Sequence, residues 1–152
     1  MNTTALKAVL DTNILIASIG TRSPYRWIFE AVIKGRILVC ISNEILFEYQ
    51  EVLARKTNDR VAENVVNFIS ISPHTVRVDI YFNVGLITAD DSDNKFIDCA
   101  IASNAVCLVS NDKHFQAVKS VEFPKVNVLT IDEFEARYRT ELTGSNDTSL
   151  IG

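Results

Sequence analysis

Glycine, proline, cysteine and histidine are all scarce in this sequence. With 5 Gly and 3 Pro in 152 residues, it has the composition of neither a fibrous nor a disordered chain. The 3 Cys are odd in number and each lies in an apolar stretch, so no disulfide framework is expected. The 2 His and 3 Cys also lack the spacing of a zinc site. The longest apolar runs are far shorter than the roughly 20 residues that cross a bilayer, so we expect no membrane segment.

Basic residues are also too few to make a strongly positive surface. The chain has 19 acidic and 15 basic side chains and a formal charge of -4. This balance argues against strong non-specific binding to duplex nucleic acid, although it suits a nuclease whose acidic residues hold cations. Residues 1–7 are short and polar and lack the basic and then apolar segments of a secretory signal, so we expect a cytoplasmic protein.

What the sequence does contain is an alternation of apolar strands and amphipathic helices. We expect one domain over residues 1–142 and a flexible tail over residues 143–152. The predicted strands are Ala8–Leu10, Ile37–Ile41, Val76–Val78, Val106–Val109 and Val126–Leu129. The predicted helices are Tyr25–Lys34, Asn43–Lys56, Asp59–Ile69, one that follows Asp93 and runs to Asn104, and Glu133–Leu142, with Ser42, Asp59 and Asp132 as N-caps. Residues 79–87 match no motif.

Strands that alternate with helices predict a parallel sheet, because parallel neighbours need crossover connections. Helices then cover both faces of the sheet. The expected fold class is therefore a three-layer α/β/α domain. Ligands of such sheets bind beyond the carboxyl ends of the strands, which directs attention to the acidic residues at those ends.

Four acidic residues are candidates for one cluster. Asp11 and Asp112 each follow an apolar strand directly, so their carboxylates meet at one edge if the two strands are neighbours. Glu48 lies at the border of the apolar stripe of its helix, and Asp93 precedes the inward-facing Phe96 by three positions. The spacing thus allows two acids from strand ends and two from helices to converge.

Each of these acids also has a simpler interpretation. Asp11 fits a turn, and Asp93 fits a helix N-cap. Glu48 taken alone is more typical of a solvated or ion-paired side chain. Either Asp112 or Ser110 can cap a short helix.

Periodicity also leaves rivals for two of the four positions. Glu44 and Glu51 share a helical face with Glu48, and Asp90 and Asp91 compete with Asp93 as the loop acid. Other charged residues near these segments are expected to be solvated; they are Arg22, Lys95, Asp98 and Lys113.

Carboxylates that converge in a partly dry cleft need a positive charge to balance them. Mg2+ or Mn2+, which prefer oxygen ligands, would supply that charge, whereas zinc would ask for His or Cys. A cation held in this way activates a bound water and neutralises charge on the leaving oxygen of a phosphodiester. Hydrolysis of a nucleic-acid backbone is therefore the leading hypothesis.

Four segments, taken in order, also match those of a known family. They are V-L-D-T-N at Val9–Asn13, I-S-N-E-I-L-F-E-Y-Q-E-V-L at Ile41–Leu53, D-N-K-F-I-D-C-A at Asp93–Ala100 and L-V-S-N-D at Leu108–Asp112, with a weaker match at Val126–Phe134. In these segments the chain resembles the PIN-domain family, and specifically the VapC-like toxin components of prokaryotic toxin–antitoxin pairs. The resemblance extends from about Lys7 to Tyr138.

The resemblance implies a PIN-type α/β/α fold and a metal-dependent endoribonuclease. Matched position by position, the acidic quartet of the family falls on Asp11, Glu48, Asp93 and Asp112. The three aspartates would hold Mg2+ or Mn2+, directly or through water, and the glutamate would complete the site or accept a proton from the attacking water. It also implies an RNA substrate, a homodimer and a small antitoxin partner.

Two polar residues accompany the quartet. Asn13 matches the residue that supports the first aspartate, and Ser110 stands where the family usually has Thr, which offers the same hydroxyl. Both are expected to orient the aspartates by hydrogen bonds.

Two other functions remain as alternatives. A phosphoaspartate receiver or phosphatase also uses strand-end aspartates, but Asp11-Thr12-Asn13 lacks a second acid and no lysine directly ends a later strand. A catalytically silent PIN scaffold for protein association is the other alternative, and the presence of all four acids counts against it.

Overall fold

Five parallel strands form the central sheet of the computed structural model, which describes residues 5–80, 94–120, 122 and 125–151. The spatial order of the strands is β3-β2-β1-β4-β5. Their bounds are β1 Leu6–Leu10, β2 Ile37–Ile41, β3 Val76–Arg77, β4 Cys107–Val109 and β5 Val128–Leu129.

The first strand of the chain lies in the middle of the sheet. In β1, Ala8 pairs with Val39 of β2 on one side and with Cys107 of β4 on the other. Ala8, Val9 and Leu10 are completely buried. A continuous apolar run of this kind is what a parallel strand covered on both faces requires.

Seven helices connect or flank these strands in the described part of the chain, and the expected three-layer α/β/α class is confirmed. They are α1 Thr12–Ile19, α2 Arg26–Ile33, α3 Asn43–Lys56, α4 Asp59–Ile71, α5 Asn94–Ser103, α6 Lys113–Gln116 and α7 Ile131–Ile151. A 3-10 turn at Ala117–Ser120 follows α6, and Gly144 interrupts α7 with φ 51°.

Helix α1 is the main element that the sequence did not predict. Its polar start and the β-branched run that follows do not favour a helix locally. Burial of Ile14 and Leu15 against the rest of the core stabilises it instead. By contrast, β2 and α3 were predicted with the correct bounds, and Ser42 caps α3 by accepting a hydrogen bond from the N–H of Ile45 at 3.3 Å.

Two of the predicted N-caps were wrong by one or two positions. Asn58, not Asp59, caps α4, because Asn58 has the extended backbone that a cap needs and its side chain accepts from the N–H of Val61 at 2.9 Å. Thr130, not Asp132, caps α7, which begins at Ile131. Its Oγ1 accepts from the N–H of Glu133 at 3.1 Å, while Glu133 Oε1 accepts from the N–H of Thr130 at 2.8 Å, which makes a reciprocal capping box.

An aromatic cluster attaches α7 to α2. The rings of Trp27 and Phe134 stack at 5.8 Å between centroids, and Phe134 lies 5.2 Å from the ring of Tyr138. Phe134 is completely buried. This cluster fixes the start of α7 against α2.

The three cysteines are all free and buried, as expected. Burial raises the pKa of Cys99 and that of Cys107 to about 12. Neutral thiols of this kind pack as small apolar groups. Among the described helices, none is both long and apolar enough to cross a membrane.

Two helices end in the same left-handed turn. After α2, Gly35 has φ 77°, and the N–H groups of Gly35 and Arg36 donate to the carbonyls of Val32 and Ala31 at 3.1 and 2.8 Å. After α5, Asn104 has φ 56°. Each is the left-handed C-terminal residue of a helix, where glycine is favoured and asparagine is tolerated.

Opposite substitutions at these two helix ends should therefore change stability in opposite directions. Gly35→Ala should lower the free energy of unfolding by at least about 1–2 kcal/mol, because a Cβ is unfavourable at positive φ and would lie 2.6 Å from Cε1 of His74. Asn104→Gly should raise it by about 0.5 kcal/mol by removing a Cβ from the same conformation. Urea denaturation of both variants and the parent protein measures the two differences. Equal or same-sign changes would contradict this account.

Candidate active site

Asp11 and Asp112 are joined through a single buried serine. The backbone N–H of Asp11 donates to the carbonyl of Val109 at 3.0 Å, which continues the pairing of β1 with β4 beyond the strand ends. Ser110 Oγ donates to Asp11 Oδ2 at 2.8 Å and accepts from the N–H of Asp112 at 3.0 Å. The hydroxyl of Ser110 thus holds the two acidic positions in a fixed relation at the carboxyl edge of the sheet.

The carboxylate of Asp11 is not used to cap a helix. Asp11 is the N-cap residue of α1, but its side chain makes no capping hydrogen bond to that helix. Its main-chain carbonyl accepts from Ile14 and Leu15 at 2.9 and 3.1 Å. The side chain is only 7% exposed, so a carboxylate is held at the edge of the sheet with little contact to bulk water.

Asp112 does have a structural role in addition to its place beside Asp11. Its Oδ1 caps α6 by accepting from the N–H of His114 at 2.8 Å, and His114 Nδ1 lies 3.5 Å from the same oxygen. Asp112 itself, and not Ser110, is therefore the cap of this short helix.

Asp11 and Asp112 line a cleft of about 330 Å³. The side chains that line it are partly apolar and partly polar or aromatic. The lining residues are Asp11, Asn13, Ile14, Ala17, Tyr25, Asn111, Asp112, Ile131 and Asp132. The cleft therefore combines two strand-end acids with groups that can contact a ligand.

Glu48 approaches the same region from α3. Thr12, the neighbour of Asp11, donates a hydrogen bond from its hydroxyl to Glu48 Oε2. Lys95 Nζ lies 2.8 Å from Glu48 Oε1. The rival acids Glu44 and Glu51 are exposed, whereas Glu48 is half-buried, so the structure separates three residues that periodicity leaves equivalent.

The completely buried Tyr49 contacts the end of β1. Its hydroxyl donates to the carbonyl of Leu10, the last residue of β1, at 2.6 Å. Burial raises the pKa of Tyr49 well above its usual value, and the charges of Asp11 and Glu48 raise it further. The neutral phenol therefore stabilises the end of β1, directly before Asp11, through this hydrogen bond.

Asp93 lies outside the described residues, as do its rivals Asp90 and Asp91 and the aromatic segment at residues 81–87. Within the described residues, no group of three or more His, Cys, Asp or Glu side chains is arranged to hold a metal ion. The convergence of the full quartet stays a prediction.

Ser110 and Asn13 were both expected to orient an aspartate, and the structure gives them different partners. Ser110 makes the hydrogen bond to Asp11 that its sequence position suggested. Asn13 lines the cleft, and its Oδ1 accepts from Lys56 Nζ at 3.1 Å.

Two residues expected to be solvated are largely buried. Asp98 is only 4% exposed, and the side chain of Lys95 is 14% exposed. Helix α5 packs against β1, β2, β4 and α3. More of its side chains are therefore buried than the one apolar stripe in its sequence predicts. Lys95 and Asp98 are three positions apart, so they lie on the same side of α5. On that side Lys95 forms its ion pair with Glu48.

Sequence reasoning missed the contact between Tyr25 and Asp132. The Tyr25 hydroxyl donates to Asp132 Oδ1 at 2.9 Å. The hydrogen bond to this carboxylate raises the pKa of Tyr25 above 10. The two residues are 107 positions apart, and no local pattern in the sequence relates them.

These features agree with comparisons against known proteins. A family model for the PIN domain matches residues 7–114. The chain therefore belongs to the PIN domain family, which confirms the expectation from its four motifs.

Several solved structures share the fold at low sequence identity. A chain of VapBC2 from Rickettsia felis, solved with a DNA fragment from the promoter, has a TM-score of 0.58 and 18% identity, over 82% of this chain and 98% of that one. A chain of DNA-bound VapBC from Salmonella typhimurium has a TM-score of 0.52 and 16% identity, over 83% and 98%. The PIN domain of T. brucei RRP44 has a TM-score of 0.50 and 15% identity, over 99% and 89%. No curated protein sequence matches significantly.

The donor set at the strand ends suits a hard divalent cation. Asp11 and Asp112 offer carboxylate oxygens beside a buried hydroxyl. Oxygen donors of this kind fit Mg2+ or Mn2+, whereas the three thiols are buried and the donors include no cysteine.

Proposed function

We propose that this PIN domain is a divalent-metal-dependent endoribonuclease. The observation that carries the proposal is the pair of carboxylates, Asp11 and Asp112, that ends two neighbouring parallel strands and lines one cleft. The two are linked through Ser110, whose hydroxyl bonds to the carboxylate of Asp11 and to the backbone N–H of Asp112. Pre-organised acids of this kind are what phosphodiester hydrolysis at a metal site needs.

Asp11, Asp93 and Asp112 are the proposed ligands of Mg2+ or Mn2+. When bound, the cation would activate a water and neutralise charge on the phosphodiester. The Ser110 hydroxyl donates to Asp11 and so keeps one of its oxygens oriented. Because Asp98 is a buried carboxylate on the side of α5 that carries Lys95, it joins the candidates for this cluster.

Glu48 is the proposed acceptor of a proton from the attacking water, or a further member of the acidic cluster. Its two oxygens are already directed by Thr12 and Lys95. The ammonium of Lys95 also offsets part of the negative charge that the acids concentrate there. Lys95 is thus a positioning residue for Glu48.

The proposed biological role is that of the toxin in a toxin–antitoxin pair. The likeness to chains from two VapBC complexes supports a small antitoxin partner. We also propose that the chain forms a homodimer. The apolar side chains Trp27, Ile28 and Phe29 of α2 are buried in the core and are therefore not exposed to a partner.

The direct test is cleavage of single-stranded RNA by the purified protein. RNA should be cut internally with Mg2+ or Mn2+, excess EDTA should abolish cleavage, and a DNA of the same sequence should be cut much more slowly. Gel separation of end-labelled products distinguishes internal cuts from trimming. RNA cleavage that continues at full rate in EDTA would contradict the proposal.

A matched pair of variants on α3 adds a control for charge. Glu48→Gln should lower kcat by roughly 100-fold or more, as expected for loss of a proton acceptor, while Glu44→Gln removes the same charge from an exposed position one turn away. Equal activities of the two variants would remove Glu48 from the site. A folded protein with no RNA cleavage but tight binding to a co-expressed protein would favour the silent scaffold instead.

A further inference from the structure

The cleft extends beyond its two strand-end acids. Besides Asp11 and Asp112, its lining includes Tyr25 and Asp132, which are hydrogen-bonded to each other, and the apolar Ile131. The volume of about 330 Å³ lies near the lower end of small-molecule sites and exceeds what a metal ion and its waters require. The cleft therefore has room for part of a substrate beside the acids.

The aromatic and acidic groups at this end are held in place. Tyr25 is half-buried at the start of α2, and Asp132 is exposed in the first turn of α7. Their hydrogen bond of 2.9 Å fixes the phenol and the carboxylate relative to each other. Since α2 and α7 are joined by the Trp27–Phe134 stack, the fold itself brings these two groups together.

The hydrogen-bonding capacity at this end is specific. The carboxylate of Asp132 offers only acceptors, and its hydrogen bond from Tyr25 uses one lone pair of one oxygen. Asn111 Oδ1 accepts from the N–H of Ile131 at 2.9 Å, which commits its acceptor and turns its amide N–H groups to other partners. A ligand that suits this end therefore presents two donors to the carboxylate and an acceptor to the amide.

We propose that the Tyr25–Asp132 end of the cleft is a nucleobase subsite that selects guanine in single-stranded RNA, an inference that rests on the proposed ribonuclease function. Guanine is the base whose Watson–Crick edge carries two adjacent N–H donors, on N1 and N2, beside the O6 acceptor. The carboxylate of Asp132 accepts from the two donors, Asn111 donates to O6, and the ring of Tyr25 contacts the base face. Splayed bases in single strands are commonly read through aromatic contact and their Watson–Crick edges.

The decisive experiment changes the base and the carboxylate together. The substrates are short single-stranded oligouridylates that carry one guanine, one hypoxanthine or one adenine at the same position. Hypoxanthine lacks the 2-amino donor of guanine but keeps N1–H and O6. With the parent protein, kcat/KM at that position should be about 5- to 100-fold higher for guanine than for adenine, with hypoxanthine between them. With Asp132→Asn, guanine and hypoxanthine should become equal within about twofold.

Three further variants separate recognition from structure. Tyr25→Phe keeps the ring and should retain the guanine preference, whereas Tyr25→Ala should raise KM about 5-fold or more for every base. Asp59→Asn removes an exposed aspartate from the first turn of another helix, α4, and should leave the preference unchanged. A parent protein that cuts RNA without base preference, or an Asp132→Asn variant with the parent's preference, would overturn the subsite while leaving the nuclease proposal intact.

A binding measurement keeps the two proposals distinguishable if no RNA is cut. NMR titration of the parent protein with 5'-GMP and 5'-AMP should give a Kd at least 5-fold lower for GMP, and Asp132→Asn should remove that difference. Selective GMP binding without cleavage would support the subsite and reject the nuclease proposal. Equal or undetectable binding of both nucleotides, without cleavage, would reject the subsite.

Discussion

Asp11→Asn should reduce metal-dependent RNA cleavage at least about 100-fold and leave the protein folded. The substitution keeps the shape of the side chain but removes the charge that would bind a cation. An amide oxygen can still accept the hydrogen bond that Ser110 donates to Asp11. The fold at the end of β1 should therefore survive while the chemistry is lost.

Stability and metal binding distinguish this explanation from simple damage. Without metal, the melting temperature of Asp11→Asn should equal or exceed that of the parent, because a negative charge beside Asp112 is removed. Mn2+ affinity, measured by calorimetry, should fall with the activity. Ser110→Ala provides a graded comparison: it retains both carboxylates but loses the hydroxyl between them, so activity should fall less than in Asp11→Asn. A strongly destabilised Asp11→Asn, or one with full activity, would show that this acid is structural.

Phe134→Ala should give the largest loss of stability among single substitutions in the aromatic cluster, about 3–5 kcal/mol. The ring is completely buried and contacts Trp27 and Tyr138. Its removal leaves a cavity between α2 and α7 that neighbouring rings fill only in part. Urea denaturation, with the slope compared between variants, measures the change.

An exposed apolar residue serves as the control for this effect. Ile71 is 81% exposed, and Ile71→Ala should change the free energy of unfolding by no more than about 0.5 kcal/mol. Phe134→Leu, which keeps most of the apolar volume, should cost less than about 1.5 kcal/mol. A loss under 1 kcal/mol in Phe134→Ala would mean that α7 does not depend on this cluster.

Local patterns predicted the elements that local forces determine. Ser42 precedes an apolar stripe and caps α3 as expected, because the cap and its N–H partner are three residues apart. Asp59 and Asp132 are equally good cap residues by type, yet the backbone places Asn58 and Thr130 at the cap positions. Residue type identifies that a helix begins nearby, while backbone angles decide at which residue.

Features set by packing between distant segments were not visible in the sequence. Asp98 looked solvated because it lies off the apolar stripe of α5, but that helix is covered on more than one side. Of the site residues, Asp11 and Asp112 were predictable because strand ends of a parallel sheet meet at one edge. The Tyr25–Asp132 contact joins α2 to α7, and no periodic pattern of either helix contains that information.

The place of β1 in the middle of the sheet also determines when the cleft is completed during synthesis. Asp11 and Ser110 are 99 positions apart, a gap that a ribosome translates in roughly 5–20 s. During that interval β1, β2 and β3 can already pair, because all three have left the ribosome before β4. The partner of Asp11 in the cleft arrives only when β4 docks on the free side of β1. A nascent chain truncated before that point carries the first aspartate without the second, so the acidic pair first exists once β4 has been made and has docked on β1.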